Sequence, residues 1–206
     1  MELDSTLLAL IEQQRAQAGF RSLAELIELC RAGNQIFDPF STLISRNVAV
    51  GAGNRFYPNV VIEASGDGQI QIGDRNIFFP NTSLRASAGM IRIGSGNSFG
   101  EGGVSLRTDG PADELIVGAA GRYMHGAQIA GSNRLGDGAQ VLGPISVQGC
   151  ELGAGGGYGE PDPDLRGGVL KGAGLARGLV VGRGEVINGR TTFVAAMLER
   201  QRTYHP

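Results

Sequence analysis

The sequence contains no tryptophan, only two histidines and two cysteines, and only 6% aromatic residues. Cys30 and Cys150 lie in segments of different character, so a disulfide framework is not expected. The 18 lysines and arginines stand against 20 acidic residues and form no basic run. This balance argues against a protein dedicated to binding nucleic acid or an anionic membrane surface.

Long apolar runs are also missing. No stretch approaches the length that spans a bilayer, and no basic segment followed by an apolar core opens the chain. We therefore expect a cytoplasmic protein without a membrane partner.

Glycine is abundant, with 35 residues, and it follows a regular pattern. Between Leu115 and Gly149 a bulky residue recurs at every sixth position. These residues are Val117, Tyr123, Ile129, Leu135, Val141 and Val147. Neither a helix of period 3.6 nor a strand of period 2 gives this spacing, whereas a solenoid of stacked coils does.

Six-residue units cover most of the chain after Val48, among them VGAGNR, FYPNVV, IGDRNI, FFPNTS and IGSGNS. The first residue of a unit is bulky, the second is often glycine, and the fifth is small or asparagine. The fifth residue and the next first residue are two apart, so they share a face in an extended chain. We predict that this face lines the interior of a three-sided prism with about seven coils of roughly eighteen residues.

The remaining segments are predicted to close the ends of the prism. Residues 1–40 would form an N-terminal cap of two short helices, with Asp4 or Ser5 capping the first and Ser22 the second. Residues 41–190 would form the β-helix. Residues 191–206 would form a C-terminal helix and tail, helical from about Thr191.

The repeats resemble those of the hexapeptide-repeat transferases over about residues 48–193. The resemblance implies an all-β solenoid, a left-handed parallel β-helix, assembled as a homotrimer. Most members transfer an acyl group from coenzyme A or acyl carrier protein to a hydroxyl or amine. Others are γ-class zinc carbonic anhydrases, and some are not catalytic. A zinc site of that class needs three histidines, and this chain has only His125 and His205, so no metal is expected.

His125 is the candidate catalytic residue. As the third residue of YMHGAQ it should lie near a prism edge and point outward. It occupies a place similar to that of the catalytic histidine in the UDP-N-acetylglucosamine O-acyltransferases of lipid A synthesis, which implies a general base in a cleft between subunits. The second histidine and the aspartate that follow in that family are missing here.

Other candidate site residues surround this position or follow it in sequence. Glu101 is expected one coil below His125 and Glu160 two coils above it. We predict substrate contacts from Glu101, Tyr123, Glu160 and Asp162, the last two in the acidic loop at 158–168. Lys171, Arg177 and Arg183 are predicted to bind the phosphates of coenzyme A or acetyl-CoA, because family members bind them on the late coils.

Two functions remain open from the sequence. One is an acyltransferase that moves an acetyl group from acetyl-CoA to a small-molecule acceptor such as a sugar, nucleotide-sugar or amine. The other is a non-catalytic β-helix that serves in assembly or ligand binding. The placed histidine, the long loop and the late cations favour the first, and the scarcity of polar clusters favours the second.

Overall fold

The computed structural model describes residues 5–204. Two helices, α1 (Ser5–Gln17) and α2 (Leu23–Arg31), come first and are followed by short strands. In chain order the strands are β1 (Gln35–Ile36), β2 (Leu43–Ile44), β3 (Ala49–Val50), β4 (Arg55–Phe56), β5 (Val61–Ala64), β6 (Gln69–Ile72), β7 (Ile77–Phe78), β8 (Thr82–Ala86), β9 (Met90–Ile93), β10 (Ser98–Gly100), β11 (Val104–Thr108), β12 (Glu114–Val117), β13 (Arg122–Met124), β14 (Gln128–Ala130), β15 (Asn133–Leu135), β16 (Gln140–Leu142), β17 (Ile145–Gln148), β18 (Glu151–Leu152), β19 (Val169–Arg177), β20 (Val180–Val181), β21 (Glu185–Thr192) and β22 (Leu198–Arg200).

From β4 to β19, each strand pairs in parallel with the third strand before it, so each coil has three faces. The first face runs β1-β4-β7-β10-β13-β16-β19, the second runs β2-β5-β8-β11-β14-β17-β19, and the third runs β3-β6-β9-β12-β15-β18-β20. The long strand β19 bends from the first face into the second and joins them in one sheet of 15 strands. The parallel β-solenoid predicted from the six-residue repeat is confirmed.

The interior consists of the residues that the repeat selects. Val117, Tyr123, Ile129, Leu135, Val141 and Val147 are all buried. Along the first face Phe56, Phe78, Phe99 and Tyr123 stack in one column, with ring centroids 5.1, 5.2 and 5.1 Å apart. These spacings follow from the distance between hydrogen-bonded strands, about 4.8 Å.

A second interior column is a ladder of asparagines at the fifth position of the unit. The Asn34 side-chain oxygen accepts hydrogen bonds from the backbone and side-chain N–H groups of Asn54, at 2.9 and 3.1 Å. Asn76 donates to Asn54 and Asn97 donates to Asn76 in the same way. The ladder ends where the Asn97 side-chain oxygen accepts from the backbone N–H of Gly121, at 2.8 Å. Between Asn34 and Gly121 the ladder therefore connects successive coils by hydrogen bonds inside the core.

The predicted cap at Ser22 is confirmed. Its hydroxyl accepts from the Glu25 backbone N–H and the Glu25 carboxylate accepts from the Ser22 N–H, which forms a capping box. Asp4, the alternative cap of the first helix, lies outside the described residues. Leu26 of α2 is fully buried on the first coils.

Helix α1 is attached to the rest of the protein through a buried arginine. Leu7 and Leu10 are about half exposed, at 50% and 52%. Arg15 is the buried residue instead, and its guanidinium donates to the carbonyl oxygens of Arg21 at 2.8 Å and Thr42 at 2.9 Å. These bonds fix the helix to the loop before β2.

The prediction of a C-terminal helix is wrong. Strand β21 continues to Thr192 beside β19, and β22 returns antiparallel to it, with single turns of 3-10 helix at Ala195–Met197 and Gln201–Tyr204. Thr192 and the buried Phe193 favour extended backbone. An edge strand also leaves backbone groups unpaired, and β22 covers that edge of β21.

Candidate functional site

A cavity of about 370 Å³ lies on the upper part of the first face, where two segments outside the coils cover the strands. Its floor is built from outward side chains of β13, β16, β19 and β21. One column of the floor is Arg122, Gln140, Val169 and Val186, and the next is Leu142, Lys171 and Asn188. We call this space the side cavity.

Two chain segments outside the coils form its walls. The excursion between β18 and β19 contributes Tyr158 and Arg166, and the C-terminal 3-10 turn contributes Gln201 and Tyr204. Gln201 is buried, and its side-chain amide donates to the carbonyl oxygens of Gly167 at 2.7 Å and Glu185 at 3.1 Å. This single side chain therefore joins the excursion to the last coil.

Ion pairs reinforce the same junction. Arg202 contacts the carboxylates of Asp162 at 3.0 Å and Asp164 at 2.8 Å, and Arg200 lies 3.4 Å from Asp164. The Asp164 backbone N–H donates to the Asp162 carboxylate and, with the nearby Arg202, holds the pKa of Asp162 below its usual value. Asp162 and Asp164 of the excursion are thus paired with the C-terminal segment, and neither lines the cavity.

The described residues that line the side cavity include three cations and no carboxylate. Arg122 stacks over the Tyr158 ring, with its guanidinium carbon 4.4 Å from the ring centroid. The Arg166 Nε–H donates a hydrogen bond to the Glu160 carbonyl oxygen at 2.7 Å, which orients the rest of the guanidinium group. Within residues 5–204 no hydrogen bond or ion pair holds the Lys171 ammonium group.

The three predicted cofactor-binding cations do not form one cluster. Lys171 lines the side cavity. Arg177 lies at the far end of β19 on the second face, where it donates to the Gln148 side-chain oxygen at 2.8 Å. Arg183 follows β20 and donates to the Leu165 carbonyl oxygen at 3.2 Å. The cations that do accompany Lys171 are Arg122 and Arg166.

The predicted substrate-contacting residues of the excursion support its shape. Asp162 caps a 3-10 turn, and the Glu160 carboxylate accepts from the Asp162 backbone N–H at 3.3 Å. Neither lines the side cavity. The excursion does bound the cavity, through its other residues Tyr158 and Arg166.

Tyr123 lies inside the prism. It is fully buried, because it occupies the inward position of β13, and this corrects its assignment to substrate contact. Burial raises the pKa of its hydroxyl, with a smaller contribution from the charge of Asp137. The hydroxyl fills the space beside Gly121, where the Asn ladder stops, and it has no hydrogen-bond partner.

His125 is exposed at the edge between the first and second faces. Its backbone N–H donates to the Glu101 carbonyl oxygen at 2.9 Å, so Glu101 lies one coil below as predicted. Two coils above, the strand register puts Gly172, and Glu160 lies in the excursion instead. Met124, Leu142 and Lys171 align across three coils, so His125 is one residue beyond the column that contains Lys171.

The edge imposes a left-handed backbone on both residues, with φ of 59° at His125 and 44° at Glu101. Such angles cost non-glycine residues roughly 1–2 kcal/mol, and the two coils above use Gly143 and Gly172 here. Residues that persist in strained conformations are enriched at functional sites.

Sequence reasoning missed most of the side cavity. Arg122 stands at an ordinary outward position of its repeat, and Gln201 was assigned to a helix. Tyr158 and Arg166 lie in or beside the loop that the sequence marked as an unusual excursion, which was the one available signal.

Within residues 5–204 no group of three or more His, Cys, Asp or Glu side chains is placed so that it could hold a metal ion. Neither α1 nor α2, nor any other helix of this range, is long and apolar enough to cross a membrane.

Comparison with protein-family models and with curated proteins gives no match.

Proposed function

We propose that this protein is a ligand-binding β-helix that takes a small anionic molecule into the side cavity. The observation that supports this is the lining of Arg122, Arg166 and Lys171 without a described carboxylate to neutralise them. The cavity volume of about 370 Å³ lies in the range of small-molecule sites. An anion there would gain charge-assisted hydrogen bonds from the Lys171 ammonium group and from the guanidinium N–H groups that Arg122 and Arg166 do not use within the protein.

Titration calorimetry at low salt tests this proposal with phenyl phosphate, phenyl sulfate and phthalate as probes. We expect at least one of them to bind, and Lys171→Ala to weaken that binding about 10- to 100-fold, the usual effect of losing one charged hydrogen bond. Arg177→Ala is the matched control, because it removes the same charge from the second face. Absence of binding at millimolar probe, or equal effects of the two variants, would contradict the proposal.

Acyl transfer is the second candidate, supported by the strained His125 one residue beyond the Lys171 column. In this proposal acetyl-CoA or another coenzyme A thioester is the donor, Lys171 contacts its phosphates, and His125 takes the proton from the acceptor hydroxyl or amine. The acceptor is a small molecule, and a neighbouring subunit of a homotrimer completes the cleft.

His125→Ala separates the two candidates. If His125 is the base, the variant binds acetyl-CoA with unchanged affinity while acetyl transfer to a panel of amino sugars and amines falls about 10²- to 10⁴-fold. Thermal unfolding should change little, because His125 is exposed and both histidine and alanine carry a Cβ atom in this left-handed conformation. A calorimetric titration with acetyl-CoA that gives no heat would exclude acyl transfer and leave the binding function in place.

A further inference from the structure

The side cavity has an apolar area beside its cations. The partly exposed Leu142 lies directly below Lys171 in one floor column, and Val169 and Val186, which are only 5% and 4% exposed, lie in the next. An inorganic ion would leave this area in contact with water. A ligand that fills the cavity therefore needs an apolar body as well as a charged group.

The arrangement of charge favours two negative charges on one group. Arg122 and Lys171 lie in adjacent floor columns two coils apart, and Arg166 lines the same cavity from the excursion. Tyr158 and Gln140 add neutral donors around the same space, whereas Asn188 is hydrogen-bonded to Tyr204, whose hydroxyl donates to the Glu199 carboxylate. A phosphate monoester carries nearly two charges at neutral pH and has three oxygens on one atom, so it can accept from several of these donors together.

We infer that the ligand of the side cavity is an organic phosphate monoester. Its phosphate contacts Lys171 and the two arginines, and its apolar body lies on Val169, Val186 and Leu142. This inference rests on the proposed anion-binding function and adds the chemical class of the ligand to it.

The test compares four probes on the unmodified protein at pH 8 and low salt. Phenyl phosphate is the dianionic monoester, phenyl sulfate has the same ring with one charge, inorganic phosphate lacks the ring, and phthalate carries two charges on separate carboxylates. We expect phenyl phosphate to bind at least tenfold more tightly than each of the other three. In Leu142→Ser its advantage over inorganic phosphate should shrink, while the native melting transition persists.

Each other outcome overturns a distinct part of the inference. Equal affinity for phenyl sulfate would show that one charge suffices, and equal affinity for phthalate would remove the preference for phosphate. Equal affinity for inorganic phosphate would show that no apolar body is bound. If no probe binds, or if Lys171→Ala weakens the binding of none of them, the proposed function itself is refuted.

Discussion

Tyr123 shows how one residue departs from the repeat that contains it. The three coils below place Phe56, Phe78 and Phe99 in its column, each with an asparagine two residues earlier. At Tyr123 the preceding position is Gly121, and a Cβ atom there would lie within 2.5 Å of the tyrosine hydroxyl. The hydroxyl and the missing asparagine side chain therefore compensate each other in volume but not in hydrogen bonding.

Replacing Tyr123 by Phe should stabilise the protein by about 1 kcal/mol. The substitution removes a buried hydroxyl without a partner and keeps the stacked ring, and an unsatisfied buried polar group costs roughly 1–3 kcal/mol. Urea unfolding measures the change as a shift in midpoint. Phe99→Tyr is the opposite control, expected to destabilise because Asn97 occupies the space that the new hydroxyl would need. A destabilised Tyr123→Phe variant would indicate a water bound to the hydroxyl.

At the scale of elements, the Asn ladder supplies side-chain hydrogen bonds between coils that are built from short strands and glycine-rich turns. Strands of two to five residues make few backbone hydrogen bonds each, so their coils need further connections. Buried asparagine side chains supply both donors and acceptors between successive coils.

Asn76→Ala should therefore destabilise the protein by roughly 3–5 kcal/mol. Asn76 donates to the oxygens of Asn54 and Gly94, each at 3.0 Å, and its own side-chain oxygen accepts two bonds from Asn97. The alanine variant leaves several of these buried groups without a partner. Gln69→Ala, at an exposed position of the preceding strand β6, should change the unfolding midpoint little. A loss below 1 kcal/mol for Asn76→Ala would mean that water enters the ladder and replaces the side chain.

The solenoid could be predicted because the bulky residue of each six-residue unit marks the position that points inward, as Val117 and Ile129 illustrate. The structure at the end of the chain could not be predicted, because Leu198–Arg200 pairs with the open edge of β21 and no local sequence pattern shows that this edge is unpaired. The side cavity required even longer-range information. Arg122 and Arg166 are 44 residues apart in sequence, and only the stacking of coils and the folding back of the excursion bring both to one space.

At the scale of the whole molecule, the outer surface carries apolar residues beyond what the coils need. Phe79, Ile116 and Leu142 are partly exposed at outward positions, whereas Val104 is buried. A row of outward rings also runs up the first face, with Phe37 and Tyr57 centroids 4.7 Å apart and Tyr57 and Phe79 centroids 5.2 Å apart. Contiguous apolar patches of this kind mark interaction surfaces.

We predict that the protein is a homotrimer in solution and that this row lies in its interface, because closed symmetric assembly would remove the rings from water. Light scattering should give a particle of three 21.4 kDa chains. Phe37→Lys should shift the mass toward the single chain, since Phe37 is 54% exposed at the end of the row and a charge there would be buried by association. Leu10→Lys is the control, because Leu10 is 52% exposed on α1, outside the row. A single-chain mass for the unmodified protein would refute the trimer, and a trimer that tolerates Phe37→Lys would place the interface on another face.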